Sequence, residues 1–313
     1  MKALALKLVG ALLFLTAIAM WLSRAPERPV ETLVARWAPP PSDFIDVKGQ
    51  LVHLRDVGPR DDAEPLLLIH GTAASLHTWE GWVKALSARH RVISFDLPGF
   101  GLTGPSITGD YRGDTYARFV LALMDQLKVQ RFAIGGNSLG GEVAWRTALL
   151  APERVTRLIL VNAAGPDFTS DSVPVGFVLA RVPLLNRLGE WMLPRPMVAA
   201  SLHNVYGDPS RVTETVVDRY YELTLREGNR RALVQRLQQN RRGQDAERIR
   251  ELKLSTLILW GGRDQLIPPS VGRQFAQDIA GSRLVVFDDL GHVPQEEDPQ
   301  RSVAPVQAFL QQP

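Results

Sequence analysis

The chain contains no cysteine. That excludes a disulfide framework, a thiol nucleophile and a thiolate metal site, so the fold must hold in an oxidising or a reducing compartment alike. Histidine is scarce, six in 313 residues, and His53, His77, His90 and His203 stand at no metal-ligand spacing, so neither a metal nor a cofactor is expected. No internal repeat is visible. Long lysine or arginine runs interleaved with aromatics are absent too, so the net charge of +3 gives no reason to expect a nucleic-acid partner. What remains is an ordinary globular composition, 45% hydrophobic and 22% charged, at a length that suits one α/β domain carrying an insertion.

The amino terminus has its own character. Beyond Lys2 and Lys7, Leu8 to Leu22 is free of charge, with Trp21 at its end and Arg24 just past it. Counted from Ala3, this is about the length that spans hydrocarbon. The expectation is an uncleaved signal-anchor over residues 1–23, a transmembrane helix that ties the protein to a membrane with its catalytic part on the extracytoplasmic side, periplasmic in a bacterium. The alternative is secretion after cleavage near Ala17-Ile18-Ala19. Residues 24–43, with Pro26, Pro29 and Pro39-Pro40-Pro41, suit a stiff tether enclosing a short helix-capable piece from Glu31 to Trp37.

From Phe44 onward the chain alternates. Phe44 to Val47 and Leu51 to Val57 flank Lys48-Gly49 as a hairpin does. Leu66 to Ile69 is an uninterrupted apolar run, the pattern of a strand buried on both faces. Trp79, Trp82, Val83 and Leu86 follow at helical spacing and belong to the core. Val92 to Phe95, Phe132 to Ile134 and Leu158 to Val161 are further strands, and helical stretches separate them. This is the order of a mostly parallel sheet covered by helices on both faces. Between Gly165 and about Arg250 the alternation gives way to helical pieces, Val175 to Leu188, Trp191 to Leu202, Val212 to Leu225 and Arg231 to Leu237. They predict an α-helical lid over residues 166–250, inserted after the sixth strand. Arg226, Arg230, Arg231, Arg236, Arg241, Arg242, Arg248 and Arg250 read as its solvated face. The sheet resumes at Thr256 to Trp260 and Leu284 to Phe287, which completes a core made of residues 44–165 and 251–313.

The densest signal is Gly136-Asn137-Ser138-Leu139-Gly140 between a strand and a helix. In that setting a Gly-x-Ser-x-Gly turn lifts the serine clear of the sheet and sets it at a helix amino terminus, where free N–H groups favour a developing anion. A serine hydroxyl needs a base, and the base needs an orienting acid. Asp264 and His292 each come just after a strand, at the same sheet edge, in the chain order Ser, Asp, His. Asp288 and Asp289 are the rival acids.

On these motifs the region from Phe44 to the end resembles serine hydrolases of the α/β-hydrolase superfamily, of esterase or lipase kind. The resemblance implies Ser138 as nucleophile, His292 as general base and then acid, and Asp264 as the residue that sets the imidazole tautomer. It implies an oxyanion hole from the N–H groups of Leu139 and of Thr72 (or Ala73), a structural His70, and Asp96 in a turn. The implied reaction is cleavage of a small apolar carboxylic ester through an acyl-enzyme. Meta-cleavage carbon–carbon hydrolases, the alternative, share a Gly-Asn-Ser-x-Gly-Gly elbow. They typically carry Gly-Pro-Gly after His-Gly and a tryptophan after the histidine, where this chain has Thr72-Ala73-Ala74 and Val293-Pro294. A non-catalytic ligand-binding member of the same fold is the reading from a different class.

Overall fold

A computed structural model describes residues 2–182 and 189–311. The chain opens on helix α1 (Lys2–Leu22) and α2 (Glu31–Trp37). Strands β1 (Ser42–Val47) and β2 (Gln50–Val57) then pair antiparallel. Lys48 and Gly49 connect them with φ of 54° and 87°, the two positive values that let a two-residue turn match the twist of its strands. After β3 (Leu66–Ile69) come α3 (Glu80–Leu86), β4 (Val92–Phe95), α4 (Gly113–Gln126), β5 (Phe132–Asn137), α5 (Leu139–Leu150) and β6 (Val155–Val161).

The eight-stranded sheet has the order β1-β2-β4-β3-β5-β6-β7-β8, where β7 is Ser255–Gly261 and β8 is Arg283–Phe287, and every pair from β4 onward is parallel. The order steps back once, from β4 to β3 to β5, so the chain leaves β3 in one direction and β5 in the other. Ligands of open α/β sheets bind at the carboxyl edge beside such a reversal.

The apolar run of β3 explains itself in this setting. Leu67 and Ile69 join the core on one face with Tyr116, Val120, Val143 and Trp145, whereas Leu66 and Leu68 join the other with Trp79, Trp82, Val303 and Phe309. Successive side chains of a strand point to opposite faces, so a strand covered twice must be apolar at every position. Trp82 also donates through its indole N–H to Ser302 Oγ at 2.9 Å, fastening α3 to the last helix.

Between β6 and β7 lies a helical cap: α6 (Val175–Arg181), α7 (Arg195–Val205), α8 (Glu214–Thr224) and α9 (Asn229–Gln239). The expected helical run over residues 175–188 is described as far as residue 182, and residues 183–188 lie outside the described part. Behind the cap, α10 (Pro269–Asp278), α11 (Pro294–Glu297) and α12 (Pro299–Leu310) complete the domain. Asp298 caps α12 by accepting from the Arg301 N–H at 3.2 Å, with proline in the first turn where no amide partner is needed.

The proline-rich segment lies docked along the cap. The Arg36 guanidinium reaches Glu222 at 2.8 Å and Asp218 at 3.0 Å, and the Trp37 indole donates to Glu222 at 2.7 Å. The Arg28 N–H donates to the Leu225 carbonyl at 2.7 Å.

The expected membrane anchor is corrected. Among the described residues no helix is long and apolar enough to cross a membrane. A span requires roughly 20 consecutive, predominantly apolar residues, and no helix among the described residues meets that condition. The transmembrane helix, the membrane as a partner and the extracytoplasmic placement by that anchor rested on a span and are withdrawn with it.

Candidate active site

β5 ends in Asn137 and α5 begins at Leu139, so Ser138 alone makes the turn. Its backbone sits at φ 56° and ψ −115°, a region that side chains other than glycine's enter only against strain. Neighbouring glycines make so sharp a turn possible. A Cβ on Gly136 would lie 2.1 Å from the Gly140 carbonyl oxygen, and one on Gly140 would lie 2.1 Å from that of Ile69. Both obstacles are backbone, which has no room to yield.

The turn after β3 abuts the serine. A Cβ on Gly71 would come within 3.1 Å of the Ser138 Cβ. Thr72 and Ala73 follow directly, Ala73 with φ 60°, and both border the same cavity as Ser138 and Leu139.

His292 follows β8 and Asp264 follows β7. Asp264 Oδ2 accepts from His292 Nδ1 at 2.7 Å. With Nδ1 so engaged, Nε2 is the ring nitrogen left for the cavity, which His292 also lines. The carboxylate is held from every side: Oδ2 also accepts from Asn162 Nδ2 at 2.6 Å, and Oδ1 accepts from the N–H groups of Leu266 and Ile267 at 2.8 and 2.9 Å. Of the rival acids, Asp289 is an exposed partner of Arg301 at 2.6 Å.

Side chains without a sequence signal of their own brace this arrangement. Asn137 donates to the carbonyls of Val161 at 3.1 Å and His292 at 2.9 Å. Asn162, with φ 44°, accepts from the Gly261 N–H at 3.2 Å while holding Asp264, and so ties the ends of β6 and β7 together. Glu297 accepts from the N–H groups of Gly291 at 2.8 Å, Gly207 at 3.0 Å and Asp208 at 2.8 Å. The His292 N–H donates to the Val205 carbonyl at 2.7 Å. The histidine loop is thus fastened to the cap where α7 ends. Asparagine and glutamate in loops are too common to declare such roles; only the spatial neighbours reveal them.

Behind the cavity lies a buried polar cluster. Asp96 accepts from the N–H groups of Leu76 and Leu102 at 2.7 and 2.8 Å, and its Oδ2 stands 2.7 Å from His53 Nδ1. Burial works to raise the Asp96 pKa, yet the neighbouring His53, His70 and His77 hold it well below the carboxylate range. Burial lowers the pKa of His70, which donates to the Gly71 carbonyl through Nδ1 at 2.7 Å and accepts from the Leu97 N–H at 3.0 Å. These bonds set the loops on either side of the cavity. Among the described residues no group of histidine and carboxylate side chains is arranged to hold a metal ion.

The cavity itself has a volume of about 470 Å³, the size of a small-molecule site. The cap supplies most of its wall, including Phe177, Leu193, Met197, Val198 and Leu237. The expected solvated arginine face divides: Arg231, Arg241, Arg242 and Arg250 are exposed, whereas Arg230 and Arg236 are buried against the cavity.

The family model described as the alpha/beta hydrolase fold matches residues 64–299. Among curated proteins, the dihydrolipoyllysine-residue acetyltransferase component of an acetoin cleaving system from Pseudomonas putida is 30% identical, over 87% of this chain and 70% of its own. The 2-hydroxy-6-oxononadienedioate/2-hydroxy-6-oxononatrienedioate hydrolase of Escherichia coli K12 is 29% identical, over 82% of this chain and 91% of its own. Among solved structures, the meta-cleavage product hydrolase of Pseudomonas fluorescens IP01 is 28% identical, with a TM-score of 0.73 over 86% of this chain and 97% of that one.

Proposed function

The chain belongs to the alpha/beta hydrolase fold family, and from that premise we propose that it is a serine hydrolase of carboxylic esters. The observation that carries this reading is that Ser138, in a strained turn, and His292, bonded to Asp264 at 2.7 Å, line one cavity.

The chemistry follows from the bond at Nδ1. His292 Nε2 takes the hydroxyl proton as Ser138 Oγ attacks the ester carbonyl. The oxyanion is received by the N–H groups of Leu139 and of Thr72 or Ala73. The C–O bond to the alcohol breaks, and His292 returns the proton to the leaving oxygen. Water then attacks the acyl-enzyme, gives its proton to Nε2, and the carboxylic acid departs as Ser138 Oγ is reprotonated. Asp264 sets the tautomer and offsets the imidazolium charge of each step. The cap, residues 166–250, acts as the lid that supplies the apolar part of the pocket.

Cleavage of a carbon–carbon bond by the same serine and histidine is the second reading. It is favoured by the two relatives that are hydrolases of such substrates, at 29% and 28% identity. Against it stand Thr72-Ala73-Ala74 and Val293 at positions where that group typically carries Gly-Pro-Gly and tryptophan.

Treatment with a fluorophosphonate probe, with the adduct mapped by mass spectrometry, is expected to label Ser138 and to leave the Ser138→Ala protein unmodified. Absence of labelling in folded protein would refute the nucleophile and move a ligand-binding role to the front. Parallel assays on p-nitrophenyl octanoate and on 2-hydroxy-6-oxononadienedioate separate the two reactions: faster turnover of the dienedioate would replace the ester reading.

A further inference from the structure

Five arginines line the cavity, Arg181, Arg230, Arg236, Arg241 and Arg242, against a single carboxylate among the described residues, Glu142. That carboxylate is already engaged by Arg146 at 3.0 Å. Cleavage of a neutral ester uses none of these cations.

Arg230, in the first turn of α9, is the sharpest case. It is 5% exposed, and its Nε and both terminal nitrogens lack a hydrogen-bond partner among the described residues. Arg236, 8% exposed, likewise has no partner at Nε. The two acids whose charge reaches Arg230, Glu27 and Glu190, make no hydrogen bond to it. Glu27 accepts from the Gly228 N–H at 3.0 Å, and Glu190 faces Arg231 at 3.8 Å. Burial pushes the pKa of both Arg230 and Arg236 down, and the charge of Arg181 pushes Arg236 the same way. A guanidinium nevertheless keeps its charge in proteins, so it cannot relieve its burial by losing a proton, as a lysine can. Buried charges are otherwise paired, and a planar fork of donors matches an oxyanion with two parallel bonds.

We propose that Arg230 and Arg236 form an anion-binding subsite in the cap wall, which takes a carboxylate or phosphate group carried by the substrate in addition to its scissile ester. The substrate class, resting on the ester reading above, is then an ester with an apolar body and one anionic end. The arginines grip that end while the apolar side chains of α6 and α7 hold the body.

The test uses the full chain with Ser138→Ala, so that binding is read without turnover. Calorimetry compares mono-octyl phosphate, the monomethyl ester of suberic acid and neutral 1-octanol. At least one anionic probe is expected to bind about tenfold or more tighter than octanol, as a charge-assisted bond implies. Preference for the phosphate or for the carboxylate names the source of the anion. Arg230→Gln should remove the preference, Arg236→Gln should weaken it, and Arg230→Lys should restore part of it. Equal affinity for all three probes, or a preference that survives both glutamine variants, overturns the proposal.

Melting of the ligand-free protein gives a second reading. Arg230→Met should raise Tm, because it removes a buried charge that has no hydrogen-bond partner among the described residues; a lowered Tm would mean that the guanidinium is a structural partner after all. The two hypotheses fail separately. Fluorophosphonate labelling without anion preference removes only the subsite, and anion preference without labelling removes only the ester reading.

Discussion

The side chain of Asn137 donates to the backbone carbonyl of His292 at 2.9 Å. The residue before the proposed nucleophile thereby holds the loop that carries the proposed base, across 155 positions of sequence. A second bond from the same amide, to Val161 at 3.1 Å, fixes the direction in which it points.

Asn137→Ala should lower kcat by about tenfold with little change in KM, the equivalent of one net hydrogen bond of about 1–1.5 kcal/mol that positions rather than binds. Steady-state kinetics on p-nitrophenyl octanoate would check it. An unchanged kcat would show that the histidine loop is held sufficiently by the Val205 carbonyl and Glu297.

Asp264→Asn should reduce turnover by about three to four orders of magnitude while leaving the fold intact. An amide that keeps the two loop N–H bonds must turn donor groups toward His292 and Asn162, and the imidazole is then driven to the wrong tautomer. Circular dichroism and single-turnover rates together distinguish this from unfolding.

Ser138→Gly should abolish the reaction and raise stability by about 1–2 kcal/mol, because glycine adopts φ 56°, ψ −115° without the strain that a Cβ imposes. Urea midpoints of the two proteins measure the difference. A destabilised glycine variant would mean that the turn stores no strain.

Glu297→Ala should lower stability by about 2–4 kcal/mol and reduce turnover as well, since three N–H groups lose their acceptor at the junction of cap and histidine loop. Glu297→Gln keeps one acceptor oxygen and should fall between the two. Loss of stability with full activity would show that the cap joint does not position His292.

Stability should decline as the pH falls from about 6.5 to about 4. Burial depresses the His77 pKa to about 4, against the attraction of Asp96, and burial lowers His70 also. Both folded values lie below the unfolded one, so the unfolded chain binds more protons in that window and gains on the folded state. His77 alone accounts for on the order of 3 kcal/mol. Asp96, whose folded pKa is depressed, adds a further loss only below about pH 3.9, where the unfolded carboxylate protonates. Denaturation at pH 7.5, 6 and 4.5 checks the window; a constant midpoint would mean that His77 and His70 accept protons in place.

Much of the arrangement could be read from local pattern. The run Leu66 to Ile69 implied a strand covered on both faces, Lys48-Gly49 implied the hairpin, and Gly136 to Gly140 implied the turn at Ser138. Periodicity and turn chemistry are properties of a few adjacent residues, so they need no knowledge of the partner surface. The arginines of α9 show where this ends. Their spacing suited a solvated face, but helix α9 lies on the cavity, and Arg230 and Arg236 face inward.

The sequence by itself determined the order of strands and helices, the turn geometry that glycine permits, and the positions at which a serine, an acid and a histidine leave the strands. Those are consequences of sterics and of side-chain period. Only the tertiary structure decided which loops meet: that Asn162, from the end of β6, braces Asp264, that Glu297 joins the histidine loop to the cap, and that two buried arginines keep guanidinium nitrogens with no hydrogen-bond partner among the described residues. Such contacts depend on distances between segments that lie far apart in sequence, 102 positions for Asn162 and Asp264 and 90 for Gly207 and Glu297, and these are set by the packing of the whole sheet and its cap.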